Sequence, residues 1–446
     1  MVKDFSVVNI ALWGQTVGAV AWDSKKELAF FEYDQKFLKK GLNIAPLTMD
    51  IAAAKDMVFS FPSLNRETFK RLPGLLADVL PDKYGNAIID AWLARQGRDA
   101  RSFNPVERLC YTGKRGMGAL EFAPDTARDL NKSVAVEIKE ITRLAHSIMS
   151  HRANLDVNLT DDDHENEEAL RDIIRIGTSA GGARPKAIIA MNKEGHVLSG
   201  QAEAPPGYDH WILKLDGVAD LELGKPQNYG RIEYAYHLMA KAAGIEMTEC
   251  RLHQENGRAH FLTKRFDRFN GDKVHMQTLC GIAHYDFNMP GAYGYEQAFD
   301  VMRRLGLDHA QAVQQYRRMV FNVLAKNQDD HTKNITFLMD KEGKWSLSPA
   351  YDVTFSHNPH GMWTNEHQMT INGKRDNFIL DDLVGIGKAI KHSKPMMAVD
   401  EVFDAVARWP EFAKAAGLPP MTVANIRKHH RLELGKGNLE KIKKEK

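Results

Sequence analysis

The feature that most constrains this 446-residue chain is a dense polar run set directly behind an apolar helical stretch. Residues 319–325 read as the end of a buried helix, and Asn327-Gln-Asp-Asp-His-Thr-Lys-Asn334 follows at once. Two short strand patterns, 335–339 and 344–348, then flank Asp340-Lys-Glu-Gly343, and Pro349-Ala-Tyr-Asp352 closes the segment. An ordinary turn does not collect two acids, a histidine, a lysine and an amide behind such a helix. The pattern predicts an acidic loop and a second acid, Asp352 between Tyr351 and Val353, at the head of a helical region.

The organisation on either side agrees with this. Residues 6–34 alternate apolar and polar with turn residues between them, as in a β-meander. Residues 66–97 look helical, interrupted at Pro73 and Pro81; Met117 to Phe122 reads as a strand and Val134 to Ser150 as a helix. An acidic run, 161–168, is a solvated boundary. A second strand-rich stretch follows: Lys186 to Met191, Tyr208 to Leu215, and a hairpin of 249–253 with 260–266 around Glu255-Asn-Gly257. Asn228 to Ala243 is a strong helix candidate with Gly244 as its stop. From about 292 the chain turns mostly helical, at 294–305, 308–326, 378–391, 396–408 and 421–433.

Composition narrows the function classes. Hydrophobic residues make up 43% and charged residues 26%, which is ordinary for a globular protein. A net charge of +2 gives no global argument for nucleic acid. Cys110, Cys250 and Cys280 lie far apart without metal-ligand spacing, which fits a reducing cytoplasm. No secretion signal is read at the N-terminus, and no stretch approaches the about 18 apolar residues of a membrane helix. The expectation is a cytoplasmic protein without a membrane partner. The stretch from Arg427 to Lys446 holds eight Lys/Arg against three Glu, a solvated helix end or a contact surface for DNA or an acidic partner.

The acidic segment suits phosphoryl transfer. One Asp can accept the proton of an attacking hydroxyl, while an Asn and a second Asp offer oxygen ligands for Mg²⁺ against ATP phosphates. Asp329-x-x-x-x-Asn334 has the spacing of the protein-kinase catalytic loop. Gly177-Thr-Ser-Ala-Gly-Gly-Ala-Arg-Pro-Lys186 could bring backbone amides close to an anion, or be a glycine-rich turn; it is not a Walker A loop. Trp211-Ile-Leu-Lys-Leu215 sets one lysine in an apolar strand, facing phosphates or snorkelling from an edge. Phe261 to Phe269 could offer an adenine edge its extended backbone, or be a hairpin strand with a charged exit.

Together these segments resemble the HipA family of serine/threonine kinases, the toxin halves of bacterial toxin–antitoxin pairs. The matching residues are 179–186, Lys214 within 211–215, Arg265-Phe-Asp-Arg268, 327–334 and Leu347-Ser-Pro-Ala-Tyr-Asp352, with Phe31-Glu-Tyr-Asp34 and 71–81 in the N-terminal part. Residues Thr278 to Phe287 and Pro290 to Tyr295 depart from the family's pattern. The resemblance implies an α+β, two-lobed protein-kinase-like fold: an N-terminal β-rich subdomain (1–130), an ATP-binding N-lobe with the phosphate loop (131–290) and a helical C-lobe (291–446). It implies Asp329 as catalytic base with His331 supporting the loop, and Asn334 and Asp352 as Mg²⁺ ligands. Ser179, Gly181, Gly182 and Ala183 would form the phosphate loop, Lys214 would meet ATP phosphates, and Lys264, Phe266 and Asp267 the adenosine. Ser179 matches a serine that family members autophosphorylate, adding charge where ATP charge must sit. The implied partners are a protein substrate, in the family an aminoacyl-tRNA synthetase, and a separate helix-turn-helix antitoxin through which DNA is reached.

Two other readings use the same residues. A catalytically weak kinase-fold protein could act as a DNA-bound co-repressor with its helix-turn-helix partner. A metal-dependent hydrolase could use Asp329, Asp330, His331 and Asp352, but needs further ligands at fixed geometry.

Overall fold

The computed structural model describes residues 7–81, most of 85–145, 185–200, 204–217, 228–269 and 271–435. The acidic run 161–168, the segment 177–184 with Ser179, Gly181, Gly182 and Ala183, and the tail from 436 lie outside the described residues. The chain divides into two compact units, one of residues 1–228, 251–277 and 339–344, the other of 229–250, 278–338 and 345–446.

The first unit carries two five-stranded sheets. In one, β1 (Val7–Leu12), β2 (Gln15–Asp23) and β3 (Leu28–Tyr33) form the expected meander, with β4 (Val58–Phe59) beside β3 and β5 (Leu120–Ala123) beside β1. Alternation decides the buried face: Val8, Ile10 and Leu12 are buried while Val7 and Asn9 face out. Trp13 and Gly14, both at positive φ, make the two-residue turn between β1 and β2. Gly18 on β2 lets β3 approach, since a Cβ there would lie 2.1 Å from the Glu32 carbonyl oxygen. The helix α1 (Pro105–Thr112), which comes between β4 and β5 in the chain, is started by a capping box between Asn104 and Glu107.

The second sheet runs β7 (Val197–Ser199), β6 (Lys186–Met191), β8 (Asp209–Lys214), β10 (Arg258–Lys264) and β9 (Cys250–Glu255). Its β9–β10 turn is Asn256-Gly257, again with both residues at positive φ. Five of the six β6 residues are buried, as a short apolar run predicts for an interior strand. A cluster of Phe103 and Tyr111 with Ile138, Ile189, Trp211, Leu213 and Leu262 packs helical residues on this sheet. The stretch from 66 starts helical and is interrupted before Pro73, as the sequence predicts: one turn, Arg66–Phe69, ends where Lys70 and Arg71 both adopt left-handed backbone, and a second turn, Gly74–Ala77, follows Pro73.

The second unit is mostly helical. Its helices are α2 (Tyr229–Ala242), α3 (Tyr295–Arg304), α4 (His309–Leu324), α5 (Leu380–Ala389), α6 (Pro395–Ala407), α7 (Trp409–Ala415) and α8 (Pro420–Arg427). Gly244 stands just past α2 at φ +76°, the left-handed stop its position predicts. The central helix is α4, capped by Asp308, whose carboxylate accepts the Gln311 N–H. It buries Tyr316, Met319, Val320, Phe321, Val323 and Leu324, and packs against α6. Trp409 at the start of α7 is fully buried and donates its indole N–H to the Val423 carbonyl at 3.0 Å. Pro410 sits in the first turn of α7, where a missing N–H has no cost. Tyr236 of α2 donates its hydroxyl to the Ala325 carbonyl at 2.6 Å, tying α2 to the end of α4. No helix among the described residues is long and apolar enough to cross a membrane.

Candidate active site

The site in the second unit grows from the end of α4. Lys326, at φ +55°, reverses the chain, and Asn327 is held back on the helix by its N–H to the Asn322 carbonyl (3.0 Å) and its side-chain amide to Asn322 Oδ1 (2.9 Å). Burial, and then the neighbouring Arg431, push the Lys326 amine down to about 8. The loop ends in one turn of 3₁₀ helix, Thr332–Asn334, in which Asn334 N–H donates to the His331 carbonyl at 2.8 Å. Asn334 Nδ2 reaches back across the loop to the Asp329 carbonyl oxygen at 2.7 Å. That bond uses the nitrogen end of the amide and leaves its oxygen end for another partner.

Asp329 and Asp330 are adjacent and have opposite surroundings. Asp329 keeps a side chain 40% exposed; its Oδ1 accepts the Trp363 indole N–H at 2.9 Å and lies 3.8 Å from His331 Nε2. Asp330 is buried, and its oxygens accept the Tyr295 hydroxyl (2.8 Å), the Gln368 N–H (2.8 Å) and pair with His367 Nδ1 (2.9 Å). Burial alone would raise the Asp330 carboxyl, but His367, Tyr295 and the Gln368 amide outweigh it and hold its pKa below the ordinary value. Tyr295 in turn accepts from Asn322 Nδ2 at 3.0 Å, so α3, α4 and the loop share one hydrogen-bond chain.

His331 turns its ring against Phe287, centroids 5.4 Å apart, with Lys333 over the other part of the same neighbourhood at 4.8 Å from the Phe287 centroid. Thr332 Oγ1 donates to the Tyr285 carbonyl at 2.7 Å. Asp352 adopts left-handed backbone, φ +53°, just after Tyr351, whose hydroxyl donates to the Lys333 carbonyl. Ala350 N–H donates to the Glu246 carbonyl at 2.8 Å and fixes the approach to Asp352. Asn327, Asp330, His331, Asn334 and Asp352 line one cavity. Asn334 and Asp352 line that cavity, and amide and carboxylate oxygens are hard donors of the kind Mg²⁺ takes. Asp330 is committed to the Tyr295, His367 and Gln368 partners described above, which removes a ligand from the hydrolase reading. Among the described residues, no group of three or more His, Cys, Asp or Glu side chains is arranged to hold a metal.

The other candidate residues lie in the first unit. Lys214 ends β8, an interior strand between β6 and β10, so it is not an edge lysine. It stands opposite Lys186 on one side and Phe261 on the other, its amine 5.8 Å from the Phe261 ring centre. Lys264 pairs with Asp209 at 2.8 Å, and Phe266 is half-buried. Asp267 is fully buried, bonded by Arg265 Nε (2.8 Å) and Nη2 (2.7 Å), Arg268 Nη1 (2.9 Å) and the Gly118 N–H (2.7 Å). Burial opposes its charge, yet Arg265 and Arg268 hold its carboxyl far below the usual carboxylate range. Both Asp267 oxygens therefore serve the packing of the unit, and any contact of 264–267 with a nucleotide falls to the backbone and to Phe266.

The HipA-like C-terminal domain family matches residues 178–430, and the HipA N-terminal domain family matches 8–123. The chain belongs to the HipA family. Among solved structures, HipA of Shewanella oneidensis MR-1, in a toxin–antitoxin complex with HipB and operator DNA, shares the fold. It superposes with a TM-score of 0.62 at 16% identity, covering 94% of this chain and 95% of that one. This HipA-like chain thus shares the mixed α/β fold of that structure, with a β-rich N-terminal region and a helical C-terminal part. The Sinorhizobium fredii protein "Putative kinase Y4dM" is 28% identical over 227 residues, 47% of this chain and 52% of that protein. "Putative kinase Y4mE" of the same organism is 25% identical over 125 residues, 26% of this chain and 30% of that protein. The match thus spans about half the length of Y4dM.

In this HipA-like chain three residues to which the sequence reading gave no role at the site shape the loop: Tyr295, Trp363 and His367. They stand 34 to 37 positions from their Asp partners, beyond any local period, and no motif flags them. The one available signal was the isolated Trp363 in a polar stretch poor in other large apolar residues.

Proposed function

We propose that this chain is an ATP-dependent serine/threonine protein kinase acting as the toxin of a toxin–antitoxin pair. The observation that carries the reading is the Asn334 side-chain bond to the Asp329 backbone. It welds a base candidate and a metal-ligand candidate into one short loop, with Asp352 on the same cavity. In the transfer, a Ser or Thr hydroxyl oxygen bonds to the γ-phosphorus of ATP, the bond to the β–γ bridging oxygen breaks, and ADP leaves. The Asp329 carboxylate takes the hydroxyl proton. Asn334 and Asp352 would hold Mg²⁺, which supplies charge neutralisation for the phosphates when bound. The family resemblance gives Lys214 the role of meeting ATP phosphates, and most of the acceleration of such a transfer comes from positioning and fixed charge.

The family membership supports the finer parts of the proposal. The substrate class is a translation component, an aminoacyl-tRNA synthetase, as the family resemblance implies. Ser179 is the self-phosphorylation site, in a glycine-rich segment whose composition suits a phosphate. The Shewanella HipA complex with HipB and operator DNA favours a separate helix-turn-helix partner and DNA contact through it. That complex equally favours the second reading, a catalytically weak co-repressor. Intact mass before and after incubation with Mg-ATP separates the two. One phosphate gained by the parent at Ser179, and none by Asp329→Asn, is the expected result. A parent that binds its partner and operator DNA but consumes no ATP and phosphorylates no protein would replace the kinase by the co-repressor.

A further inference from the structure

The segment 356–368 is tied at both ends to the loop that carries Asp329. At one end Ser356 pairs with 326–328: Gln328 N–H donates to its carbonyl at 3.0 Å and its own N–H donates to Lys326 at 3.2 Å. His357 Nδ1 joins Gln328 Oε1 at 2.5 Å. At the other end His367 and the Gln368 N–H hold Asp330. Between these anchors the chain folds on itself, with Asn358 N–H on the Thr364 carbonyl (3.0 Å) and Gly361 N–H on the Asn358 carbonyl (3.0 Å). The Gln368 side-chain amide donates to the Trp363 carbonyl. The tip then presents neighbouring residues in opposite senses: Met362 is 96% exposed, while Trp363 is partly buried and donates its indole N–H to Asp329 Oδ1 at 2.9 Å.

We propose that Trp363 is the positioning residue of the phosphoacceptor base, which rests on the reading of Asp329 as that base. A half-exposed aspartate side chain that lacks a fixed partner turns about its bonds, and a base that wanders loses the alignment that proton transfer requires. Two nitrogen neighbours converge on one oxygen of Asp329: Trp363 Nε1 at 2.9 Å and His331 Nε2 at 3.8 Å. Neither falls on Oδ2. The indole thus fixes the carboxylate through Oδ1 and presents Oδ2 to an incoming hydroxyl. Trp suits this task, because its N–H donates, never accepts, and cannot take the proton from the base. The double anchoring of 356–368 keeps the indole rigid, as a group that orients another must be.

The test uses the full chain and follows phosphate transfer to the chain itself and to casein. Trp363→Phe keeps a ring and loses the N–H; Trp363→Ala loses both. If the N–H positions Asp329, both variants lose maximal rate by about tenfold or more with KM for ATP unchanged. A Phe variant that works at the parent's rate overturns the proposal and leaves the kinase reading intact. So does a loss that resides in KM for ATP. The contact has its own readout: the Trp363 indole N–H resonance, identified by its absence in Trp363→Phe, moves in Asp329→Asn. An unmoved resonance overturns the proposal whatever the activity. A parent that transfers no phosphate while the resonance does move sinks the kinase reading, and with it the positioning role, but leaves the contact.

Discussion

His367 Nδ1 sits 2.9 Å from Asp330 Oδ2, inside the second unit and out of reach of solvent. The acid next in sequence to the candidate base is therefore the one that holds the loop in shape. Asp330→Ala leaves His367, the Tyr295 hydroxyl and an amide without their shared acceptor, and removing one partner of a buried pair costs about 3–5 kcal/mol. Asp329→Asn, at an exposed position, stays within about 1 kcal/mol of the parent. Denaturant unfolding of both variants checks the contrast: stability tracks Asp330, activity tracks Asp329.

Acid sensitivity follows from buried histidines. Burial pushes His210, His237 and His275 from the ordinary 6.5 down to about 4, and His430 to about 3. As pH falls below 6.5 the unfolded chain binds protons that the folded chain refuses, so stability drops. Each such histidine contributes a slope of about 1.4 kcal/mol per pH unit between those limits. Unfolding free energy measured from pH 7 to 4.5 falls steeply, and His275→Gln flattens the curve. Equal slopes in parent and variant would refute the assignment for His275.

Asp267 gives a third expectation. Asp267→Ala strands Arg265 and Arg268 in a buried site and destabilises the first unit by about 3–5 kcal/mol. Gly118→Ala acts on the same knot from the other side: φ is +75° there, and a Cβ would meet Met276 Cγ at 3.0 Å. Its cost is about 1–2 kcal/mol. Thermal unfolding monitored in the first unit reads both.

Metal dependence is the fourth. Chelating Mg²⁺ with EDTA weakens ATP binding to the parent by about tenfold or more, and Asp352→Ala brings the parent's Mg-ATP affinity to the chelated level. Asp352→Ala with undiminished Mg²⁺ dependence would remove Asp352 from the ligand set.

Local pattern accounts for what was legible. The meander, the Asn256-Gly257 hairpin, α2 with its Gly244 stop and α4 all follow from periodicity and turn chemistry within a few residues. The spacing of Asp329, Asn334 and Asp352 was legible because one loop and one hairpin carry them. The division of labour between Asp329 and Asp330 was not, since it depends on Tyr295, Trp363 and His367, brought in by tertiary folding. The burial of Asp267 was not legible for the same reason: two arginines and a distant glycine amide close over it only in the folded unit. Helix α7 was not read between 396–408 and 421–433: it is only seven residues long, too short for a helical period to show.

The knot around Asp267 also bears on how this architecture can be divided. Arg268 donates to the carbonyls of Gly116 and Gly118, and the Gly118 amide returns a bond to Asp267. Phe103 and Tyr111 share an apolar cluster with Ile189, Trp211 and Leu262. A break anywhere between Ala123 and Lys186 would part residues that complete one another's bonding. The resulting fragments would each display half of a charged, greasy joint, and their solubility would depend on reunion. Such a split would behave as an obligate complementing pair rather than as two independent modules.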